Sequence, residues 1–134
     1  PRRGDVFAES TFAKQIAMIE AGMLPPVIKV GNLRSLRTWS DVRDAVRAYH
    51  LLVTHNPIAG EYYNIGGTYS CTVEEMLNYL ISQSTVENIK VETDPGRLRP
   101  IDADLQVPDA SKLKTVGSFY LDNGKESFNY WRKL

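Results

Sequence analysis

Short runs of β-branched and aromatic residues alternate with longer amphipathic runs along most of this 134-residue chain. Apolar residues recur with helical spacing between Val6 and Ala21, whereas Val27–Val30 is a short apolar run that follows two prolines. A chain that alternates in this way folds as α/β, with its helices packed on its strands. The sequence therefore predicts one α/β domain over residues 1–134, long enough to bury a hydrophobic core.

The boundaries of the other elements follow from turn and capping residues. Asn56 and Pro57 end a second helix, and Thr72-x-x-Glu75 matches the capping box that begins a third. We predict helices at about 6–21, 41–55, 72–81, 107–116 and 125–133, and strands at 27–30, 61–65 and 89–93. The segment at 31–41 is predicted to be a polar turn. We interpret the apolar stripe of the second helix as a core face, formed by Val42, Ala45, Val46, Tyr49, Leu52 and Val53.

The charge balance narrows the class of ligand. Sixteen basic residues balance sixteen acidic ones, which argues against a nucleic-acid or membrane-surface binder that depends on overall charge. No apolar run approaches the roughly 18 residues of a membrane span. The lone cysteine, Cys71, fits a reducing compartment and provides no basis for a metal site. We therefore expect a cytoplasmic protein that binds neither metal, nucleic acid nor membrane.

Two arginine-bearing segments are the candidate binding sites. In the first, Arg37 lies between a strand and the second helix, where it could contact phosphate or simply pair with Asp41 or Asp44. The second segment has Arg97 and Arg99 two residues apart, followed by Asp102 and Asp104. Arginines at this spacing on an extended chain point the same way, which suits a diphosphate clamp with a carboxylate for ribose. An ion-paired surface loop is the alternative.

Several stretches together carry a family resemblance. PRRGDVF, FAKQIAMIE, PPVIKVGNLRSLRTWSDVRDAVRAYHLL, GEYYNIGG and DPGRLRPIDADLQVPDASKLK resemble the GDP-mannose 4,6-dehydratases and the related reductases of GDP-4-keto-6-deoxy-mannose. Both are extended short-chain dehydrogenases/reductases that modify nucleotide sugars. The resemblance runs from Pro1 to about Val116. It implies the C-terminal, substrate-binding part of an extended Rossmann-type enzyme that lacks the N-terminal dinucleotide-binding half.

The resemblance also implies roles for four residues. Arg37 and Arg99 match the arginines that hold the nucleotide diphosphate, and Asp102 matches an acidic residue that accepts a hydrogen bond from the ribose. Arg3 matches a residue that reaches the NADP cofactor near a subunit contact. The implied partners are a GDP-sugar, the missing Rossmann half and further copies of the chain in a homo-oligomer.

The parts that such enzymes use for chemistry are missing from this sequence. It contains no G-x-x-G-x-x-G or G-x-G-x-x-G motif, and no tyrosine has a lysine four residues later. Gly66–Gly67 also lacks the spacing of a phosphate loop. Ser10–Thr11 replaces an arginine–lysine pair of the dehydratases, and FAKQI leans toward the reductases. We therefore expect no catalysis by this chain alone, and no NADP binding by it.

The interpretation that best fits these features is the sugar-nucleotide-binding part of a GDP-mannose 4,6-dehydratase, a lyase that converts GDP-mannose to GDP-4-keto-6-deoxy-mannose with NADP. The alternatives are part of a GDP-4-keto-6-deoxy-mannose reductase or of another nucleotide-sugar epimerase or dehydratase, and a stand-alone, non-catalytic binding module. The start of the chain, PRRGDVF without a methionine, suggests a fragment or a processed chain.

Overall fold

The computed structural model describes Gly4 and residues 6–55, 57–99, 102 and 104–116. Its elements in chain order are α1 (Ala8–Glu20), β1 (Val27–Val30), β2 (Leu36–Trp39), α2 (Val42–Thr54), β3 (Tyr69–Thr72), α3 (Val73–Ser82), β4 (Lys90–Thr93), a 3-10 turn (Pro95–Arg97), β5 (Leu105–Gln106) and α4 (Ser111–Val116). The α/β class is confirmed, as are the first four predicted helices and the strands at β1 and β4. The helix predicted at 125–133 lies outside the described residues. None of the helices in the described part combines the length and apolarity needed to cross a membrane.

The first sheet consists of β1 and β4, which run parallel with Val27 opposite Lys90 and Val30 opposite Thr93. Helix α1 covers the other edge of β1 with a single side chain. Gln15 donates to the Lys29 carbonyl at 3.1 Å and accepts from the Lys29 N–H at 2.8 Å. Both outward-facing backbone groups of Lys29 are therefore satisfied without another strand.

The second sheet has the order β3–β2–β5, and its central strand lies in the segment predicted to be a turn. That prediction is wrong, and β3 was not predicted at all. β2 pairs antiparallel with β3, with Leu36 opposite Thr72 and Trp39 opposite Tyr69. It also pairs parallel with β5. Both partners lie thirty or more residues away in sequence, so a local pattern of polar residues did not reveal the strand.

The main core lies between α1, α3 and the strands β1 and β3. Apolar residues recur at helical spacing on α1 and α3, and these faces meet over the buried strand residues. The core consists of Phe12, Ile16, Ile19, Ile28, Val30, Cys71, Val73, Met76, Leu77 and Leu80.

The predicted capping box at the start of α3 is confirmed. The Glu75 backbone N–H donates to Thr72 Oγ1 at 3.1 Å, and the Thr72 backbone N–H donates to Glu75 Oε2 at 2.8 Å. Two of the N–H groups that a helix start leaves without a backbone partner are thus satisfied reciprocally. This motif fixes the sharp change from β3 to α3.

Helix α2 forms where it was predicted, but its apolar stripe is not a core face. Val42, Val46, Tyr49 and Val53 are 58–72% exposed. The helix instead buries Asp44 and Ala48, and Ala48 packs with Leu113 of α4 in a small second cluster. The helical period correctly identified an apolar face, but it carries no information on whether the covering surface belongs to the same stretch of chain.

The strand predicted at 61–65 does not form. Among the described residues no strand pairs with it, and Tyr62 is 80% exposed. Side chains hold the segment instead. Lys112 of α4 pairs with Glu61 and lies 4.7 Å from the Tyr62 ring centre and 4.9 Å from that of Tyr63. A strand-like sequence needs a neighbouring strand for its backbone hydrogen bonds, and the described residues provide none.

The capping box gives a stability prediction with a matched control. Glu74 and Glu75 both lie in the first turn of α3, but the reciprocal bond to Thr72 is made by Glu75. We expect Glu75→Ala to lower the free energy of unfolding by about 1 kcal/mol more than Glu74→Ala does, because Glu75→Ala also removes the bond to Thr72. Both substitutions remove the same favourable charge near the helix dipole, so that contribution cancels in the comparison. Urea denaturation of the two variants checks this. Equal losses would contradict it.

Candidate functional site

A cleft of about 1310 Å³ lies where the start of α1, strand β2 and the loop after β4 meet. Apolar side chains form part of its wall, among them Phe7, Phe12 and Trp39. Arg37, Arg97, Arg99 and Asp102 also line it. The two arginine-bearing segments, which are sixty residues apart in sequence, therefore face one cleft.

Arg37 lies on the central strand of the three-stranded sheet, and two side chains from beyond β4 hold it. Its Nη2 lies 3.1 Å from Asp102 Oδ1, and its Nη1 donates to Gln106 Oε1 of β5. The Arg37 side chain is 28% exposed and that of Asp102 is 19% exposed. The guanidinium has five N–H donors, so these two bonds leave several of its donors for a ligand in the cleft.

The alternative pairing of Arg37 with Asp41 or Asp44 is wrong. Asp41 caps α2 by accepting from the Arg43 backbone N–H at 2.8 Å, and its carboxylate also accepts from Arg43 Nε at 2.9 Å and Nη2 at 2.8 Å. The hydrogen bonds from Arg43 hold the pKa of Asp41 below its usual value. Asp44 is buried on α2. The ion pair expected for Arg37 does exist, but with Asp102.

Asp102 is held from two sides. While Arg37 contacts Oδ1, Asn32 Nδ2 donates to Oδ2 at 3.1 Å. Asn32 is itself fixed, because its Oδ1 accepts from the Arg34 backbone N–H at 2.9 Å and its Nδ2 also contacts Ser35 Oγ at 3.3 Å. The loop between β1 and β2 thus sets the position of the carboxylate. The roles of Asn32 and Gln106 are not visible in the sequence, since an isolated amide gives no signal of its partner.

Arg97 and Arg99 lie in the loop after β4. The extended geometry expected there is wrong for Arg97, which ends the 3-10 turn. Its Nε is 3.4 Å from Asp94 Oδ2, and Asp94 Oδ1 accepts from the Gly96 N–H at 2.9 Å. Arg99 is exposed in the cleft. The turn packs directly on Gly31, where a Cβ would lie 2.5 Å from the Arg97 carbonyl oxygen.

Trp39 forms an aromatic part of the cleft wall. It lies two residues from Arg37 on β2, and both residues line the cleft. Its indole N–H donates to the Cys71 carbonyl at 3.3 Å, which ties the ring to β3. Gly67 packs against the end of β2, where a Cβ would lie 2.6 Å from the Trp39 carbonyl oxygen. Its backbone N–H donates to Ser40 Oγ at 2.7 Å. Gly67 therefore has a packing role.

The other predicted features of the site are placed as follows. Arg3 lies outside the described residues, so its predicted contact with the cofactor stays a prediction. Arg37, Arg99 and Asp102 line the same cleft. Within the part of the chain that the structure describes, no group of three His, Cys, Asp or Glu side chains could hold a metal ion.

Comparison with known proteins gives matches that agree on one family. The model of a family described as GDP-mannose 4,6 dehydratase matches residues 1–117. A curated GDP-6-deoxy-D-mannose reductase from Pseudomonas aeruginosa is 30% identical over 99 residues, which make up 74% of this chain and 32% of that protein. This chain therefore spans about a third of that relative's length.

Solved structures share the fold. RMD from Pseudomonas aeruginosa, complexed with NADPH, superposes with a TM-score of 0.82 at 21% identity over 99% of this chain and 45% of that one. UDP-glucuronic acid 4-epimerase from Bacillus cereus, in complex with UDP-glucuronic acid and NAD, gives 0.75 at 20% identity over 99% of this chain and 42% of that one. Identities this low support a shared fold and no more.

The environment of Cys71 predicts a thiol that reacts slowly. The residue is buried in β3, and burial raises the pKa of its thiol. Burial, with a hydrogen bond to Cys71, also raises the pKa of Tyr69 to about 12. The thiol is therefore protonated and inaccessible at neutral pH. We expect iodoacetamide to modify the native chain at least about a hundredfold more slowly than the chain in urea. Similar rates would show that the thiol is accessible.

Proposed function

Because the chain belongs to the GDP-mannose 4,6-dehydratase family, we propose that it is the sugar-nucleotide-binding part of a GDP-mannose 4,6-dehydratase. Arg37 and Arg99 bind the diphosphate, and the wall that contains Trp39 shields it from water. The observation that carries this proposal is the convergence of two distant arginine-bearing segments on one cleft. Guanidinium groups make charge-assisted bonds to phosphate oxygens that are about twice as strong as neutral ones.

The apolar wall strengthens this interaction. Phe7, Phe12 and Trp39 border the space that faces the arginines, so a bound diphosphate would lie in a less polar environment than water. Charge pairs interact more strongly where water is excluded. The cleft is therefore better suited to hold a diphosphate than an exposed pair of arginines on a flat surface.

In the whole protein the chemistry would belong to another part of the polypeptide. NADP would supply the hydride-transfer chemistry there, and the residues that hold it would belong to that other part. This sequence has neither a glycine-rich dinucleotide loop nor a tyrosine with a lysine four residues later. We therefore assign the present chain to binding and orienting the sugar nucleotide, and assign no cofactor site to its described residues.

A reductase of GDP-4-keto-6-deoxy-mannose is the second candidate for the whole protein. The 30% identical relative is a GDP-6-deoxy-D-mannose reductase, and Ser10–Thr11 replaces the basic pair of the dehydratases. Both reactions act on a GDP-hexose, so both require the same diphosphate grip. The diphosphate grip is therefore the part of the proposal that experiments on this chain can test.

The diphosphate grip is tested by calorimetric titration with GDP. We expect Arg37→Ala and Arg99→Ala each to weaken GDP binding by about 1.5–3 kcal/mol, roughly 10- to 150-fold in Kd, the range for hydrogen bonds to charged groups. Arg34→Ala is the matched control, because Arg34 is an exposed arginine near Arg37 that does not line the cleft.

Titrations with UDP and CDP then test the preference for guanine. Wild-type affinity in both arginine variants, or the same loss in the Arg34→Ala control, would contradict the grip. Absence of any nucleotide binding by the wild-type chain would contradict the proposal that this part holds the substrate without the other half.

The exposed face of α2 supports a partner for this chain. Val42, Val46, Tyr49 and Val53 follow the i, i+4, i+7, i+11 spacing of one helical face, and all four are exposed. The strand-like segment 61–65 also lacks a strand partner among the described residues. The solved RMD chain that matches nearly all of this one is more than twice as long. We propose that a dinucleotide-binding half, with strands able to pair with 61–65, docks on this face.

This docking can be tested with substitutions at adjacent positions of α2. The probe is the part of the Pseudomonas aeruginosa reductase that does not align with this chain, prepared as a separate polypeptide. We expect it to bind the wild-type chain and to lose at least about tenfold in affinity for Val46→Glu, because a charge would be buried without a partner. Arg47→Glu is the control on the exposed polar surface.

Equal effects of the Val46→Glu and Arg47→Glu substitutions would contradict docking through the apolar face. So would a dimer of the chain in analytical ultracentrifugation that Val46→Glu dissociates and Arg47→Glu does not, since a second copy would then cover the face. The predicted homo-oligomer would then account for the exposed stripe instead.

A further inference from the structure

Gly31 directly follows β1, and its lack of a side chain has a specific structural reason. Its backbone does not adopt the left-handed conformation, which Gly22 and Gly60 do adopt, so conformation alone does not require glycine here. A Cβ at Gly31 would lie 2.5 Å from the Arg97 carbonyl oxygen and 3.2 Å from the Arg97 carbonyl carbon. Glycine is therefore needed at this position because another stretch of backbone approaches it closely.

The backbone that approaches Gly31 belongs to the 3-10 turn Pro95–Arg97. The hydrogen bonds of this turn are local. The Arg97 N–H donates to the Asp94 carbonyl at 2.9 Å, and the Gly96 N–H donates to Asp94 Oδ1 at 2.9 Å. Such bonds fix the shape of the turn but leave open where the turn lies relative to β1.

The placement of the turn comes from contacts with the end of β1. The Asp94 N–H donates to the Val30 carbonyl at 2.8 Å, and the Arg97 carbonyl packs on Gly31. Val30 is buried in the main core, whereas residues 95–97 are exposed. A methyl group added at Gly31 would therefore displace the turn, because the strand cannot move without disturbing the core.

The position of the turn matters for the cleft because Arg99 follows it by two residues. Arg99 and Gly31 both line the cleft. A shift of the turn moves the backbone from which the Arg99 side chain extends. The bonds of a guanidinium to phosphate depend on the placement of its planar fork, so such a shift weakens them. Arg37 extends from β2, which the strands on either side hold in place.

We propose that Gly31 is a positioning residue for the diphosphate grip. The inference rests on the proposed binding of the diphosphate by Arg99. Because position 31 carries no side chain, the 3-10 turn docks on the end of β1, and this contact sets the point at which Arg99 enters the cleft. Gly31 thus acts on the ligand through Arg99.

The test is calorimetric titration of the full 134-residue chain and of Gly31→Ala with GDP, each with and without the substitution Arg99→Ala. We expect Gly31→Ala to weaken GDP binding at least about fivefold when Arg99 is present and less than about twofold when it is absent, since the effects of residues that act through one another are not additive. A methyl group that blocked the ligand directly would weaken binding equally in both backgrounds.

Gly66→Ala is the matched control for a close contact elsewhere in the fold. A Cβ at Gly66 would lie 2.6 Å from Pro108 Cγ, and neither residue belongs to the described lining of the cleft. We expect this variant to unfold at a lower temperature than the wild-type chain and to bind GDP with unchanged affinity. Thermal unfolding of every variant shows that the titrated chains are folded.

Pro95→Gly is a second variant that keeps the inference testable if Gly31→Ala does not fold. Pro95 is an exposed residue at the start of the 3-10 turn, and its replacement by glycine loosens the turn without a change of charge. We expect it to weaken GDP binding about threefold when Arg99 is present and to have no measurable effect in the Arg99→Ala background.

The inference is overturned if folded Gly31→Ala binds GDP like the wild-type chain, or if its loss is the same with and without Arg99. The same loss in Gly66→Ala also overturns it. If Gly31→Ala does not fold, equal effects of Pro95→Gly in the two backgrounds overturn it instead. Where the wild-type chain binds GDP, these results leave the proposed function standing. If the wild-type chain does not bind GDP, the proposed function fails and the inference fails with it.

Discussion

The pairing of β2 with a strand on each side is the interaction on which the cleft depends. Leu36–Trp39 is a four-residue strand, too short to be stable alone, and its backbone bonds go to β3 on one side and β5 on the other. The antiparallel pairing with β3 joins it to the main core through Cys71 and Val73. The parallel pairing with β5 brings Gln106 to Arg37. Neither the arginine nor the tryptophan of the cleft would have a fixed direction without these ladders.

The electrostatics of the cleft depend on the same geometry. Arg37, Arg43 and Arg97 each contact a carboxylate, namely that of Asp102, Asp41 and Asp94 respectively. Two of these pairs are local: Asp41 caps α2 and Asp94 caps the 3-10 turn. The pair formed by Arg37 and Asp102 spans 65 residues and exists because β2 and β5 are neighbours. It is the pair through which the fold can influence ligand binding.

Much of the fold could be predicted from local patterns, and the errors share one cause. The capping box of Thr72 and Glu75 and the strand Val27–Val30 follow from nearest-neighbour chemistry, and both are confirmed. β2 was missed because its polar sequence is stabilised by strands far away in the chain. The face of α2 and the segment 61–65 were misassigned for the opposite reason, since their sequences are typical of a core face and a paired strand, whereas the described residues neither cover the one nor pair with the other. At the site, the arginines could be identified by residue type. The roles of Asn32 and Gln106 depend on their tertiary contacts with Asp102 and Arg37, which the sequence does not show.

The contact of Gln15 with Lys29 has a consequence for how this sheet can grow. One side chain satisfies both outward-facing backbone groups of Lys29, and the Val27 N–H donates to the Pro25 carbonyl at 2.7 Å. The outer edge of β1 therefore has few backbone groups with which another strand could pair. A sheet that is closed at one end cannot repeat head to tail, since each added copy would need an open edge on its neighbour. Edge pairing through β4 would therefore end at a two-fold dimer and could not extend into a fibre.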